Sequence, residues 1–538
     1  MIESHEIPKV NFTVVDGIPT FWSDAPGPIR SALTFRVGTS DEPIRLRGAT
    51  HLAGHLALAP FGVPRCWDVL TTDYLFSTLC LGGSPDDLVA IYDAACSQLR
   101  SVASSELVER ERRVITSEGP TSPSSVGDEL MFARYGWVGP GRASFKEIGL
   151  ADMSPAMVHT WCETWFTKRN AVLVLSCPPP PNLRIELPEG TWRLPPPLPP
   201  TLGLLPCRIE GWPGVAFQLV IRGHPASLAL AVLLRRRLLQ VLRFGWGLTA
   251  DVHAVPTEIS ADDYALSVSI KVPSDYQSKL EELVYAMLTD AVQNGFTDDE
   301  IATWRELARQ DQSDDVLYSA WRMARQYLLG TVPTPPEEWL AEATNSDLLH
   351  ERLRQAWEQV VFGVSDGSSV IGHHFPELRF PSSPPLSSRP ASGGDPGDPS
   401  SRARSRGFCS QNRRCNGEQI FVNEEGIQIG RGRRARRPIG VVRWADCVLV
   451  ERRSDNSRKI WGKDGQWIVV RPKEWYRERR LVDAIDRWTP PQIVIDIQLP
   501  RRPRYVQIFF GNLYRVFQTR FRRALQRRLR RRSLAKDR

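Results

Sequence analysis

The sequence lacks an apolar run long enough to cross a membrane. Its longest uninterrupted apolar stretch, residues 228–234, ends at three consecutive arginines, whereas a spanning helix needs roughly 20 apolar residues. The first ten residues mix Glu, His and Lys and contain no apolar core typical of a secretory signal. We therefore expect a cytoplasmic protein, and 538 residues suffice for several domains.

The cysteines also lack the spacing of a metal clamp. The chain has nine, an odd number, and none is followed by another in a Cys-x-x-Cys pattern. This argues against a disulfide scaffold and a cysteine-ligated zinc module of the usual spacing, and a metal knuckle at Cys409 and Cys415 is the alternative. We interpret the cysteines as reduced thiols, mostly small buried residues.

An excess of positive charge is confined to one end of the chain. Residues 499–538 contain thirteen Arg and one Lys against one Asp, although the whole chain carries only +8. The remaining residues are therefore mildly acidic. From Tyr505 onward, apolar residues recur among the arginines, a pattern that predicts a basic amphipathic helix. Such a helix could bind an anionic membrane surface at the inner, cytoplasmic side, or nucleic-acid phosphates. The third interpretation is a helix that is solvated or docked on a partner.

Composition and periodicity predict an α+β protein with two related α/β modules, each an antiparallel sheet with helices. The similar order of strands and helices in these modules suggests an internal duplication. After them, several short strands and one helix predict a small β-barrel closed by a helix, weakly resembling a pleckstrin-homology unit. The predicted organisation is: first module 1–180, Pro-rich linker 181–203, second module 204–365, disordered linker 366–416, barrel 417–490 and basic tail 499–538.

The Pro-rich linker has two interpretations. Consecutive prolines favour an extended polyproline conformation, so the segment would act as a semi-rigid spacer between the two modules. The alternative is a ligand for the aromatic groove of a partner protein.

A pair of histidines, His51 and His55, falls on a predicted helix over residues 49–59. Residues four apart lie on one helical face, so both imidazoles can point at one metal ion. Glu111 and Glu118, on a second predicted helix, are candidates for a third ligand. Two His and one Glu would leave a coordination position open for water, as in catalytic zinc sites. The alternative is that the pair arises by chance and both glutamates belong to a solvated helix face.

The surroundings of this pair resemble the insulinase/pitrilysin family of zinc peptidases, whose helix carries His-x-x-Glu-His. The likeness runs in the family's order from about residue 10 to about residue 365. It covers the loop and helix around the histidines, the downstream glutamate segment, the elements closing the first module, and a substrate-contacting loop. The segments that carry it are 35–43, 48–56, 111–118, 152–155, 165–174 and 242–248.

This resemblance implies that His51, His55 and Glu118 are zinc ligands and that Glu111 supports them from behind. It also implies that Gly54 stands where the family has its general base, a role that glycine cannot perform. The substrate loop retains Arg243 as a substrate-binding residue.

Two further departures from the family accompany these roles. Ala250 replaces the tyrosine that usually follows the Gly-Leu pair of the substrate loop. The distance along the chain from His55 to Glu118 is shorter than the family norm.

Three functions are consistent with these patterns. The first is a catalytically impaired member that binds peptides as the non-catalytic partner subunit of an active zinc peptidase. The second is an active zinc metalloendopeptidase with a substitute base such as Glu111. The third is a membrane-surface scaffold that acts through the barrel and the basic tail.

Overall fold

The structure is a computed structural model of the whole chain. It describes residues 9–25, 27–61, 69–118, 126–145, 147–199, 201, 205–212, 214–272, 274–314, 316–365, 370–377, 406–409, 418–431, 437–463, 465–475 and 477–497. The predicted basic tail, 499–538, lies outside these residues, as does most of the predicted disordered linker.

The first module is a six-stranded sheet with helices packed on it. The strand order is β1-β2-β6-β3-β5-β4, antiparallel except for the pairing of β2 with β6. Alternating apolar residues of β3 and β5 pack against the helices, which gives the sheet its buried face. The elements are β1 Asn11–Val15, β2 Ile18–Trp22, β3 Ile29–Phe35, α1 Ala49–Leu58, β4 Val69–Thr72, β5 Ser77–Gly83, α2 Pro85–Arg100, α3 Ser105–Glu118, α4 Val126–Tyr135, α5 Pro155–Trp165 and β6 Ala171–Leu175.

The second module repeats this arrangement. Its five strands follow the order β7-β11-β8-β10-β9, with only the pair β7 and β11 parallel. The elements are β7 Cys207–Ile209, β8 Val215–Arg222, α6 His224–Leu239, β9 His253–Glu258, β10 Asp263–Ile270, α7 Gln277–Asn294, α8 Asp298–Asp314, α9 Val316–Leu328, α10 Pro336–Ala343, α11 Ser346–Trp357, β11 Val361–Gly363 and α12 Ile371–His374.

Five of the six strands of the first sheet match the five strands of the second, and β1 has no counterpart among them. β2-β6-β3-β5-β4 of the first module corresponds in order and direction to β7-β11-β8-β10-β9 of the second. In both, the first long helix follows the strand equivalent to β3. The topology therefore supports the internal duplication predicted from the order of elements.

One helix of each module packs on the sheet of the other module. Helix α9 packs on β2, β3 and β6, and helix α4 packs on β8, β10 and β11. A buried ion pair reinforces this exchange, since Arg325 of α9 lies 2.6 Å from Asp73 of the first module and also contacts Glu258. On α4, Arg134 donates to the Gln359 carbonyl at 2.8 Å. The two modules therefore share a continuous interface.

The Pro-rich segment is packed against the first module over part of its length. Leu183, Ile185 and Leu187 are buried in the core of that module, and the Ile185 amide donates to Asp16 at 3.1 Å. Trp192 then donates to the carbonyl of Leu328 on α9. The spacer interpretation therefore does not hold for residues 183–187, which belong to the first module's core.

The third unit differs from the predicted barrel. Its strands form two four-stranded sheets, β12-β13-β14-β15 and β18-β17-β16-β19, and no closed barrel is present among the strands that the structure describes. Strand β19 follows the helix and pairs in parallel with β16, an arrangement that counting short strands could not foresee. Strand β12 also lies within the predicted disordered linker. The elements are β12 Arg406–Cys409, β13 Glu418–Val422, β14 Gly426–Arg431, β15 Arg437–Arg443, β16 Cys447–Arg453, β17 Arg458–Gly462, β18 Trp467–Val470, α13 Glu478–Trp488 and β19 Val494–Ile497.

Within the described residues, no helix is both long enough and apolar enough to span a bilayer.

Candidate metal centre

Helix α1 is fixed at its first turn by a buried carboxylate. The Oε2 atom of Glu42 accepts from the Gly48 amide at 3.1 Å, and Oε1 accepts from the Thr50 amide at 2.8 Å. Arg47 pairs with the same carboxylate at 2.6 Å and balances its charge. Because the first amides of a helix have no partner within the helix, this contact both caps α1 and fixes where it starts.

The two predicted histidines lie together on the outward side of α1. Leu52, Ala53 and Leu56 are buried on the opposite side and hold the helix against the core. The Nε2 atoms of His51 and His55 face each other at 3.1 Å. The four-residue spacing therefore brings the two rings together as the sequence predicts.

Glu118, the last residue of α3, completes a three-residue cluster with the histidines. Its carboxylate oxygens lie 3.6 Å from Nε2 of His51 and 3.4 Å from Nε2 of His55. One donor atom from each of the three side chains lies within 4.8 Å of the others. Two imidazole nitrogens and a carboxylate oxygen thus converge on one point.

A carboxylate also contacts the far nitrogen of each ring. Glu111 is buried and lies 3.3 Å from Nδ1 of His55, and Glu147 hydrogen-bonds to Nδ1 of His51. Such contacts fix the tautomer and the ring orientation of histidines that bind metals. Burial alone would lower the pKa of His51, but the hydrogen bond and charge of Glu147, with the charge of Glu118, raise it above its ordinary value.

The donor set fits a zinc ion. Both Nδ1 atoms are engaged by carboxylates, so both Nε2 atoms are left to face the Glu118 carboxylate. Neutral imidazoles and a carboxylate are ordinary zinc ligands, and three of them leave a fourth position open.

An apolar side chain fills the space beside Gly54. A Cβ atom at Gly54 would lie 2.4 Å from Cδ2 and 2.7 Å from Cδ1 of Leu70, on the neighbouring strand β4. Gly54 itself is buried within α1, between the two histidines in sequence. The position at which the resemblance places a general base therefore has no room for one while Leu70 keeps this conformation.

The structure brings together four of the five predicted site residues. His51, His55, Glu118 and Glu111 form one cluster. Arg243 lies in the second module, within a π-helical segment, and donates to the Ala250 carbonyl at 2.9 Å. No contact among the described residues joins Arg243 to the cluster.

Sequence reasoning missed Glu147. This residue lies in a loop after the 3-10 helix Gly139–Phe145, and no spacing rule relates it to His51.

Comparisons by sequence identify no relative. No protein-family model matches the chain, and no curated protein matches it.

Comparisons of structure do identify relatives, at low identity. A protease from Helicobacter pylori aligns with a TM-score of 0.53 and 14% identity, over 67% of this chain and 100% of that chain. An inactive M16 peptidase domain from Pseudomonas fluorescens aligns with a TM-score of 0.51 and 13% identity, over 69% and 100%. Pitrilysin aligns with a TM-score of 0.51 and 12% identity.

The alignment with pitrilysin covers 67% of this chain and 45% of the pitrilysin chain, so this protein matches less than half of that enzyme. At these identities the likeness concerns the fold, and it confirms the resemblance found in the sequence at that level. The chain has the fold of the insulinase/pitrilysin, or M16, peptidases.

Proposed function

We propose that this protein is a zinc-binding, catalytically impaired homologue of the insulinase-fold peptidases that binds peptides as the non-catalytic partner of an active peptidase. The observation that carries this proposal is a contrast at helix α1. Its two histidines converge with Glu118 as metal ligands would, whereas Leu70 of β4 occupies the space beside Gly54, where the base would be. When bound, zinc would polarise a water or a peptide carbonyl.

The absence of a base at position 54 supports impairment. Removing a general base typically slows a reaction about 10²- to 10⁴-fold. Leu70 adds to this loss because it fills the space beside Gly54 with an apolar side chain that can neither accept nor donate a proton.

Glu111 is a poor substitute base in this geometry. It contacts Nδ1 of His55, whereas the converging donors face Nε2, on the opposite edge of the ring. Its other oxygen accepts from Arg110 at 2.7 Å. Glu111 therefore orients His55 from the edge of the ring opposite the proposed metal position, which argues against the active-endopeptidase alternative.

Strand β4 supports the peptide-binding part of the proposal. It is the last strand in the order of the six-stranded sheet, beside α1, and its residues alternate between exposed and half-buried. An edge strand offers free backbone groups to which an extended peptide can add as a further strand. The Pseudomonas fluorescens relative, described as an inactive M16 peptidase domain, is consistent with a non-catalytic role.

Peptide capture tests this function. The purified full chain, loaded with zinc, is mixed with a pool of peptides of known sequence, and the retained peptides are identified by mass spectrometry. We expect retention of intact peptides. Thr72→Pro should reduce it, because the register of β4 with β5 turns the Thr72 amide toward the free edge, and Thr72→Ala, which keeps that amide, should leave it unchanged. Cleaved peptides would contradict the claim of impairment, and no retention would contradict peptide binding.

A further inference from the structure

The third unit contacts the first module through a small aromatic cluster. The rings of Trp137 and Phe145 stack with centroids 3.5 Å apart, and Trp461 of β17 meets Trp137 edge-on at 4.8 Å. Leu449 and Ile495 of the third unit are fully buried in the same cluster. The contact is therefore a packed apolar interface rather than an incidental touch of two surfaces.

This interface lies next to the residue that holds His51. Phe145 comes two positions before Glu147, and Ile148, the next residue, packs against the same aromatic cluster. The aromatic cluster thus includes or contacts residues of the loop on both sides of Glu147. The side chain of Glu147 itself points away to Nδ1 of His51.

Two glycines allow close packing on the other side of the loop that carries Glu147. At Gly48, which precedes α1 with a φ of +99°, an added Cβ would lie 3.1 Å from Cβ of Glu147. At Gly149, an added Cβ would lie 2.4 Å from the Arg45 carbonyl oxygen. The loop is therefore packed between the start of α1 and the third unit, and this packing on both sides restricts the position of Glu147.

We propose that the third unit positions Glu147 and so sets the affinity of the histidine cluster for zinc. This proposal rests on the metal site proposed above. Trp461 is the positioning residue: it packs on Phe145 and Trp137, these fix the loop, and the loop presents the Glu147 carboxylate to His51. Without that contact, Glu147, whose side chain is 33% exposed, gains rotamer freedom and orients the ring less well.

This coupling predicts non-additive losses of metal affinity. Glu147→Gln should weaken zinc binding about 10- to 100-fold, the usual range for a residue that orients a metal ligand. Trp461→Leu should weaken it in the same direction. In the Glu147→Gln background, Trp461→Leu should cause no further loss, because both changes remove the same support.

The experiment measures the zinc dissociation constant of the full chain and its variants by competition with a chromophoric chelator at one fixed pH. Trp488→Leu is the matched control, because Trp488 is in the third unit and packs against that unit's own core instead of the aromatic cluster. Trp461→Phe should keep most of the affinity, since it retains an aromatic ring. It removes the hydrogen bond that Trp461 Nε1 donates to Glu451, but Glu451 keeps its ion pair with Arg453. Phe145→Leu makes the same test from the first-module side if Trp461→Leu fails to fold.

The outcomes separate the two proposals. A parent chain that binds no zinc overturns the metal site and this coupling together. A parent that binds zinc, with Trp461→Leu and Phe145→Leu both at parental affinity, overturns the coupling alone. Additive losses in the double variant also overturn it, since the aromatic cluster would then act on the site by a route other than Glu147.

Discussion

The branched end of Leu70 occupies the space that any side chain on Gly54 would need: an added Cβ at Gly54 would lie 2.4 Å and 2.7 Å from the two methyl carbons of Leu70. Gly54 has no side chain at the point where Leu70 has a large one, so the two positions are complementary in volume. Restoring a carboxylate on α1 therefore requires the Leu70 side chain on β4 to move or to be replaced.

Gly54→Glu alone should destabilise the protein. Forcing a side chain against Leu70 typically costs about 1–3 kcal/mol of unfolding free energy, more than the roughly 1 kcal/mol that leaving glycine returns to a helix. Adding Leu70→Ala should recover part of this loss, so that the two changes are non-additive. Chemical denaturation of the parent, both single variants and the double variant measures this coupling. A single Gly54→Glu variant more stable than the parent would refute the steric account.

Glu111→Gln should weaken zinc binding without unfolding the chain. Glu111 orients His55 through Nδ1, and loss of such a contact usually costs about 10- to 100-fold in metal affinity. Glu109→Gln on the same helix is the control, because the exposed Glu109 pairs only with the neighbouring Arg112. Chelator competition compares the two. Equal affinity of both variants would show that Glu111 does not support the site.

Arg325→Met should destabilise the interface between the two modules. The change would leave Glu258, whose side chain is only 9% exposed, buried without its positive partner. Breaking a buried pair from one side typically costs about 3–5 kcal/mol. Arg222→Met, which removes an exposed pair with Asp262, should cost less than about 1 kcal/mol. Similar losses for the two variants in denaturant titrations would contradict this role of Arg325.

The pH dependence of stability should carry a contribution from His224. Burial, together with the positive charges of Arg322 and Arg325, lowers the pKa of His224 from 6.5 to about 3. Between these two pKa values His224 is protonated in the unfolded chain and neutral in the folded chain. The free energy of unfolding therefore falls as the pH drops through this window, by up to about 1.4 kcal/mol per pH unit. His224→Gln should flatten this part of the curve. Parallel curves for parent and variant, measured by denaturation between pH 7 and pH 4, would exclude the contribution.

The sequence anticipated the elements with strong local signals. Helix α1 begins at Ala49 as predicted. The hairpin of β4 and β5 was missed because β4 has only four residues and the seven-residue β5 is buried along most of its length, without a clear alternation of buried and exposed positions. Its turn did carry a signal, since Asp73 accepts from the amides of Leu75 and Phe76 in the manner of a turn-forming aspartate.

The site was predictable only in part, for a physical reason. Residues four apart on one helix must share a face, so His51 and His55 could be paired from spacing alone. Glu147 and Leu70 reach the site through tertiary packing, and no local rule connects either residue with α1. The burial of part of the Pro-rich segment was not predicted either, although the alternation of Leu183, Ile185 and Leu187 with polar residues is typical of a half-buried extended chain.

The central claim is that this protein retains a metal site from which the catalytic base is absent. The most direct test measures the zinc content of the purified chain beside a His51→Ala, His55→Ala double variant, together with zinc-dependent cleavage of a mixed peptide library. We predict about one zinc per chain, lost in the double variant, and no cleavage by either. Cleavage by the zinc-loaded parent, abolished in the double variant, would contradict the claim that Gly54 and Leu70 disable the site, and a parent without zinc would contradict the metal site itself.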